Sequence, residues 1–305
     1  MTCVSVWQRT MTFRLALATE DFGQPLRQAI RQAAHFRVQG LRLNARTEIG
    51  AADLTDTGLR QLRLFVEEHQ LKVAGLYCPS RHSVADPQGL DRRLLMIRSA
   101  IERVRRLGTA EVLIRAGRIP NPAATAPRMA QGQPDDSQVD SLKNPFSFAP
   151  PPKLTEPSEA DQFELLTQVL SDLAATANHH GASLQIIVSD YDTARISALL
   201  ARVTTGPLQV VFDPAVCVMS GRQPVNIFRS LYQSIGYVRL RDAQQDVDGG
   251  GVEVPCGDGA VDWQELLAVL AEAVQPAWLC IERTGGDQRA ADVATAVRRL
   301  QALLP

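Results

Sequence analysis

Charged and polar side chains recur at one place in this chain, the end of a short apolar run. They are Arg42 and Asn44, Tyr77, Arg115, Ser189 and Asp190, Asp213, Arg239 with Asp242, and Glu282. Carboxylates such as Asp213 and Glu282 can move protons or ligate a cation. Guanidinium groups such as Arg42, Arg115 and Arg239 can hold a phosphate or carboxylate through paired N–H donors. Charges brought together in an apolar setting must pair with one another or serve a ligand. Whether these meet depends on the elements that carry them.

Eight times a short, β-branched apolar run is followed by a helical stretch. The runs are Phe13–Ala18, Gly40–Asn44, Lys72–Tyr77, Glu111–Arg115, Leu184–Ser189, Leu208–Asp213, Tyr237–Arg241 and Ala277–Glu282. The helical stretches show apolar residues at turn spacing, as in Leu94, Ile97, Ile101 and Val104, and Gly108 and Gly181 stand as stop signals. Nearly continuous apolar strands are those of a parallel sheet covered by helices. Eight such units predict a single-domain (β/α)8 TIM barrel over residues 12–305, with residues 1–11 as an N-terminal extension. All the charged strand ends then converge on the C-terminal mouth. Residues 118–159, rich in Pro, Gly, Ser and Asp, form a long insertion after strand 4, on that same face. His82, in the loop after strand 3, belongs to this face and is a candidate ligand contact. His35, His69, His179 and His180 fall on helices or their ends.

Composition narrows the rest. With 32 Lys+Arg against 33 Asp+Glu the net charge is −1, which argues against a nucleic-acid or membrane-surface partner. No apolar run reaches membrane-spanning length. The first βα turn, ATEDFGQP, has no GxGxxG, and there is no P-loop or GxSxG elbow, so no nucleotide cofactor is expected. Five cysteines, none spaced as CxxC, fit a reducing, cytoplasmic setting. Cys280, two residues before Glu282, is expected to pack in the core.

Four segments carry a resemblance: VVFDPAV at strand 6, YVRLRD at strand 7, PCGDGAVDW beyond it, and WLCIE at strand 8. With these the chain resembles the xylose isomerase-like TIM barrels, which include sugar and sugar-phosphate isomerases and epimerases and endonuclease IV. Gly257–Trp263 is the most specific segment. The resemblance implies a divalent metal (Mn, Mg, Co or Zn) held by Glu, Asp, His and Glu from strands 5 to 8, with glutamates as acid and base. Asp213 and Glu282 match the second and fourth of these, and Asp242 matches an aspartate of the strand 7 pattern. Ile187 or Val188 stands where the first Glu belongs, and Arg239 stands where the His belongs.

The expected metal set is therefore partial, Asp213 and Glu282. A protonated guanidinium does not ligate, and Arg239 can neutralise both carboxylates in the metal's place. Two functions follow from the resemblance. One is a sugar or sugar-phosphate isomerase or epimerase, moving a proton on an open-chain sugar or polyol with Glu282 and Asp213 as catalytic residues. The other is a non-catalytic relative that binds an anionic metabolite or a partner through Arg42, Arg115, Arg239, Asp242 and His82. A nuclease would need a histidine-rich site that this mouth lacks. The sequence leaves the oligomeric state open.

Overall fold

Runs such as Leu184–Val188 bury side chains on both faces, which only a strand with core inside and helices outside allows. The computed structural model describes residues 13–50, 54–124, 157–247, 249–273 and 277–304. The chain alternates β1 (Arg14–Ala18), α1 (Leu26–Ala33), β2 (Gly40–Asn44), α2 (Asp56–Glu68), β3 (Lys72–Tyr77), α3 (Leu90–Val104), β4 (Glu111–Gly117), α4 (Glu159–His179), β5 (Ser183–Val188) and α5 (Thr193–Arg202). It continues through β6 (Leu208–Phe212), α6 (Pro214–Met219), α7 (Pro224–Leu231), β7 (Ile235–Leu240), β8 (Asp242–Gln245), β9 (Gly251–Val254), α8 (Trp263–Glu272), β10 (Trp278–Ile281) and α9 (Arg289–Leu303).

Eight parallel strands close in the order β1-β10-β7-β6-β5-β4-β3-β2, with β1 paired to both β10 and β2. This is the expected (β/α)8 barrel. Helix ends follow their local signals. Ser158 and Asp161 form a capping box at the start of α4, and Gly108 (φ 81°) and Gly181 (φ 65°) take the left-handed turn after a helix. Residues 1–12, which include the expected extension, and residues 125–156 of the expected insertion lie outside the described residues.

The interior is filled, not hollow. Ala16, Ala18, Leu113, Ile187, Val211, Tyr237, Trp278 and Cys280 pack together inside the barrel, Cys280 as expected. Ile187 is the inward residue of β5, while Val188 joins the outer core under the helices. At the N-terminal end the Arg14 guanidinium lies 4.0 Å over the Trp278 ring. A Cβ at Gly40 would stand 2.6 Å from that ring, so the close approach requires glycine. Below it Gln185, fully buried, donates to Glu111 and Gln209.

Two elements depart from simple alternation. Asp213 accepts from the Ala215 amide and, with Pro214 behind it, starts the extra helix α6. The segment after β7 folds into the antiparallel β8–β9 hairpin. Its sequences, DAQQ and GVEV, lack the apolar alternation that announces a strand. Cys78, Cys217, Cys256 and Cys280 are buried free thiols. Among the described residues no helix is long and apolar enough to cross a membrane.

Candidate functional site

Strand period two aims Tyr237, Arg239 and Arg241 into the barrel, with the arginines nearest the mouth. Glu282 enters one residue beyond β10. Asp213 follows β6 directly, held by the Tyr191 hydroxyl, which accepts from the Asp213 amide at 2.7 Å. These four meet. Arg239 donates to Glu282 Oε2 from Nε at 2.7 Å, with Nη2 at 2.6 Å, and places Nη1 3.3 Å from Asp213 Oδ2. Arg241 Nε donates to the same Asp213 oxygen at 2.9 Å.

Arg42, on β2, completes the cluster. Its Nε lies 2.9 Å from Glu282 Oε1, at ion-pair distance but not aligned as a hydrogen bond. Its Nη2 donates to Glu20 at 2.8 Å, and its guanidinium covers the Tyr77 ring at 4.5 Å. Glu20 also accepts from Asn44 Nδ2. Glu282 therefore has a guanidinium on each oxygen. Burial opposes its ionisation, but Arg239 and Arg42 outweigh burial and hold the carboxyl down at about 2. Arg42 and Arg239 are correspondingly raised, since burial is outweighed first by Glu282.

The other expected residues fall in different places. Arg115 occupies the inward register position beyond Leu113 and beside Ile187, half-buried, with no carboxylate pairing it among the described residues. Asp242 lies outside the cluster. Its Oδ2 accepts from the Gly257 and Gly259 amides and from Trp263 Nε1, and its Oδ1 from the Ala243 and Val261 amides. The segment Gly257–Trp263 is thus wrapped around one carboxylate, and a Cβ at Gly259 would come within 2.1 Å of it. His82 is also apart, in a side cleft, with Nδ1 3.1 Å from Asp86.

Three members of the network escaped sequence reading. Arg241 shares the inward face of Arg239 by period two, a signal that was available. Glu20 follows β1 in a single 3-10 turn, Thr19–Phe22. Glu253 arrives on the hairpin, where it takes Arg241 Nη1 at 2.7 Å, the Thr284 amide at 2.8 Å and the Thr284 hydroxyl. Arg283 adds a contact to Glu253 at 3.3 Å.

A divalent cation does not fit this donor set. Both Glu282 oxygens face guanidinium groups, Asp213 Oδ2 faces Arg241 and the shared Arg239, and its Oδ1 caps α6. No imidazole is present, and Ile187 fills the inward position of β5. Among the described residues no group of three or more His, Cys, Asp or Glu is placed to hold a metal. Arg239 spans the two carboxylates that a metal would join.

Asp21 is the other perturbed carboxyl. Burial raises it to about 7 against the lowering effects of Arg42 and the Arg283 amide, which it accepts at 2.8 Å. Its other oxygen faces Arg289, 3.7 Å away at the start of α9. A carboxyl raised on folding favours the native state while neutral and loses that contribution as pH rises from 3.8 through about 7. Asp21→Asn keeps an oxygen for the amide and removes the charge. Its stability advantage is expected to grow over this window, reaching at most about 4 kcal/mol above it. Melting curves at pH 4 and pH 8 test this; a variant less stable than the parent at pH 8 contradicts it.

The comparisons agree with the architecture. The family model for the xylose isomerase-like TIM barrel matches residues 33–303. Inosose dehydratase of Clostridium botulinum is 28% identical over 120 residues, covering 34% of this chain and 38% of that protein. The chain thus matches well under two thirds of that curated relative's length. A xylose isomerase domain protein from Planctomyces limnophilus superposes with TM-score 0.70 at 15% identity, covering 95% of both chains. A 3-keto-D-glucoside 4-epimerase from E. coli follows at TM-score 0.67 and 13% identity, covering 95% of this chain and 100% of that one. A barrel from Mycobacterium smegmatis, solved in complex with magnesium, gives 0.65 at 15% identity, covering 97% and 99%. At these identities the structures speak for the fold alone. The closed eight-strand barrel and a family match over most of its length make this chain a member of the xylose isomerase-like TIM barrel family.

Proposed function

We propose that the protein binds a small anionic, sugar-type metabolite in its barrel mouth and does so without a metal ion. The observation that carries this reading is Glu282 held between two guanidinium groups. A carboxyl held near 2 is a weak base and is not protonated near neutral pH, so it is poorly matched to acid–base work on a sugar carbon. That disfavours the proton-transfer alternative with Glu282 as acid and base. Asp213, saturated by Arg239, Arg241 and the Ala215 amide, has little left to offer a substrate.

The ligand's charge follows from Arg115. Arg42, Arg239 and Arg241 have carboxylate partners, whereas Arg115 has none among the described residues. A half-buried guanidinium there suits a carboxylate or phosphate on the ligand, bound through two parallel N–H donors. The sugar class is supported by the curated relative named as a dehydratase of inosose.

The test has two arms. Calorimetry with Mn²⁺, Co²⁺ and Zn²⁺ is expected to show no stoichiometric binding at micromolar metal. A thermal-shift screen is expected to pick out sugar acids or sugar phosphates over the matching neutral sugars. Arg115→Ala should weaken such a hit by roughly tenfold or more, the size of a lost charged hydrogen bond. A stoichiometric metal that disappears in Asp213→Ala would overturn the proposal and return the site to metal-dependent chemistry.

A further inference from the structure

We propose a second anion site, outside the barrel mouth, that takes a small organic phosphate. It is a cleft of about 760 Å³ between the loops after β2 and β3 and one side of α3, from Gln88 and Gly89 at its start to Arg103 near its end. Arg46, Arg81, His82, Arg92, Arg93 and Arg103 line it, and no carboxylate does among the described residues. The chain as a whole carries a net charge of −1, so five arginines around one cleft are a local excess.

The bonds of these arginines separate them from an ordinary ion-pair network. Elsewhere on the surface many arginines meet acids, as in Arg63–Glu67, Arg98–Asp172, Arg202–Glu164 and Arg299–Asp258, while others, such as Arg27, Arg60 and Arg229, stand apart without gathering around a cleft. Here the donors go to backbone carbonyls. Arg46 donates to Pro79 O at 2.7 Å and Arg103 to Ile49 O at 2.6 Å. Arg93 is buried and donates to the carbonyls of Val84, Asp86 and Gln88. Neutral acceptors fix the groups in place but leave the charge uncancelled. Arg81 and Arg92 are exposed, with no hydrogen bond or ion pair among the described residues. Asp86, the carboxylate that His82 contacts, offsets part of the Arg93 charge, so the local excess rests chiefly on Arg46, Arg81, Arg92 and Arg103.

The helix adds to the field. α3 runs 15 residues from Leu90, behind Gly89; no side chain caps its first turn, and Asp91 within that turn offsets only part of the helix field. Gln88 and Gly89 line the cleft, so the positive end of the helix opens onto it. Leu95, largely exposed, and Met96 line the cleft one turn further along the same helix. A ligand with phosphate at one end and an apolar or ring portion at the other matches this layout. A fully hydrated inorganic ion would leave Leu95 and Met96 in water.

The experiment is done in Arg115→Ala protein, so that the mouth does not contribute. Adenosine triphosphate and inorganic pyrophosphate are titrated by calorimetry at about 50 mM and about 200 mM salt. Saturable binding near one equivalent is expected, tighter for the nucleotide and weakened by salt. Arg81→Glu with Arg92→Glu should reduce it at least tenfold, while Arg63→Glu, a paired surface residue, should leave it intact. Circular dichroism confirms the fold of each variant. Absence of saturable binding overturns the site. Binding that survives the double reversal, or that is present in the parent and abolished by Arg115→Ala alone, overturns it as well. The last outcome would assign the anion to the mouth.

Discussion

Arg239→Met is expected to lower the melting temperature by roughly 10 °C at pH 7. The substitution keeps most of the side chain's length and removes its charge. Glu282 then loses two contacts, at 2.6 and 2.7 Å, and Asp213 loses one at 3.3 Å, all in a buried setting. Removing one partner from a buried ion pair costs about 3–5 kcal/mol, and in a chain of this size each kcal/mol moves the midpoint by roughly 2–4 °C. The pH dependence distinguishes this cause from poor packing. The Glu282 carboxyl is depressed from 4.5 to about 2, so its contribution is present above pH 4.5 and is lost as pH falls through about 2. The gap between parent and variant should therefore narrow on going from pH 7 to pH 3. An unchanged melting temperature at pH 7 would sink the account of the cluster. The same position offers a constructive test. Arg239→His alone should not create a tight metal site, because the β5 carboxylate is missing. Adding Ile187→Glu supplies it from the inward face, and gain of Mn²⁺ binding is expected only in the double variant.

Asp242→Ala should be nearly as damaging, with a loss of about 4 kcal/mol, because the Val261 amide and the Trp263 Nε1–H are buried and would be left without an acceptor. Asp242→Asn is not a gentle version. Oδ1 and Oδ2 each accept from at least two N–H donors, so either orientation of the amide points its own N–H at other donors. Both variants should melt well below the parent, and amide exchange should accelerate across residues 257–263 first. A neutral effect of the Asn variant would show that the loop is not organised around this carboxylate.

The barrel was legible because its signal is repeated. Each strand carries apolar residues beneath the helices and each helix carries its own apolar stripe, so an error in one unit is corrected by its neighbours. The meeting of Asp213, Arg239, Glu282 and Arg42 was legible for the same reason, since closure brings every strand end to one mouth. The hairpin was not. DAQQ and GVEV are polar, and their pairing depends on Glu253 reaching Arg241 and Thr284, contacts with no local pattern. Asp242 shows the opposite limit. Its place in YVRLRD suggested a ligand contact, but one residue past an inward arginine the strand points outward, and Gly257–Trp263 closes over it. The segment that most marks the family is thus a turn folded around a buried anion. His82 illustrates that a loop on the right face need not reach the mouth.

The sealed floor of the barrel has a kinetic consequence. With Arg14 stacked on Trp278, Gly40 pressed against that ring, and Gln185 bridging Glu111 and Gln209, the described residues plug the interior at its lower end. Among the described residues the fold is a cup that opens at its mouth. A molecule held above Ile187 and Val211 leaves by the route it took in. A rim substitution that only narrows this doorway slows arrival and departure by the same factor and leaves Kd unchanged. Changes in Kd therefore report contacts with the bound molecule, whereas matched changes in the two rate constants report the doorway alone.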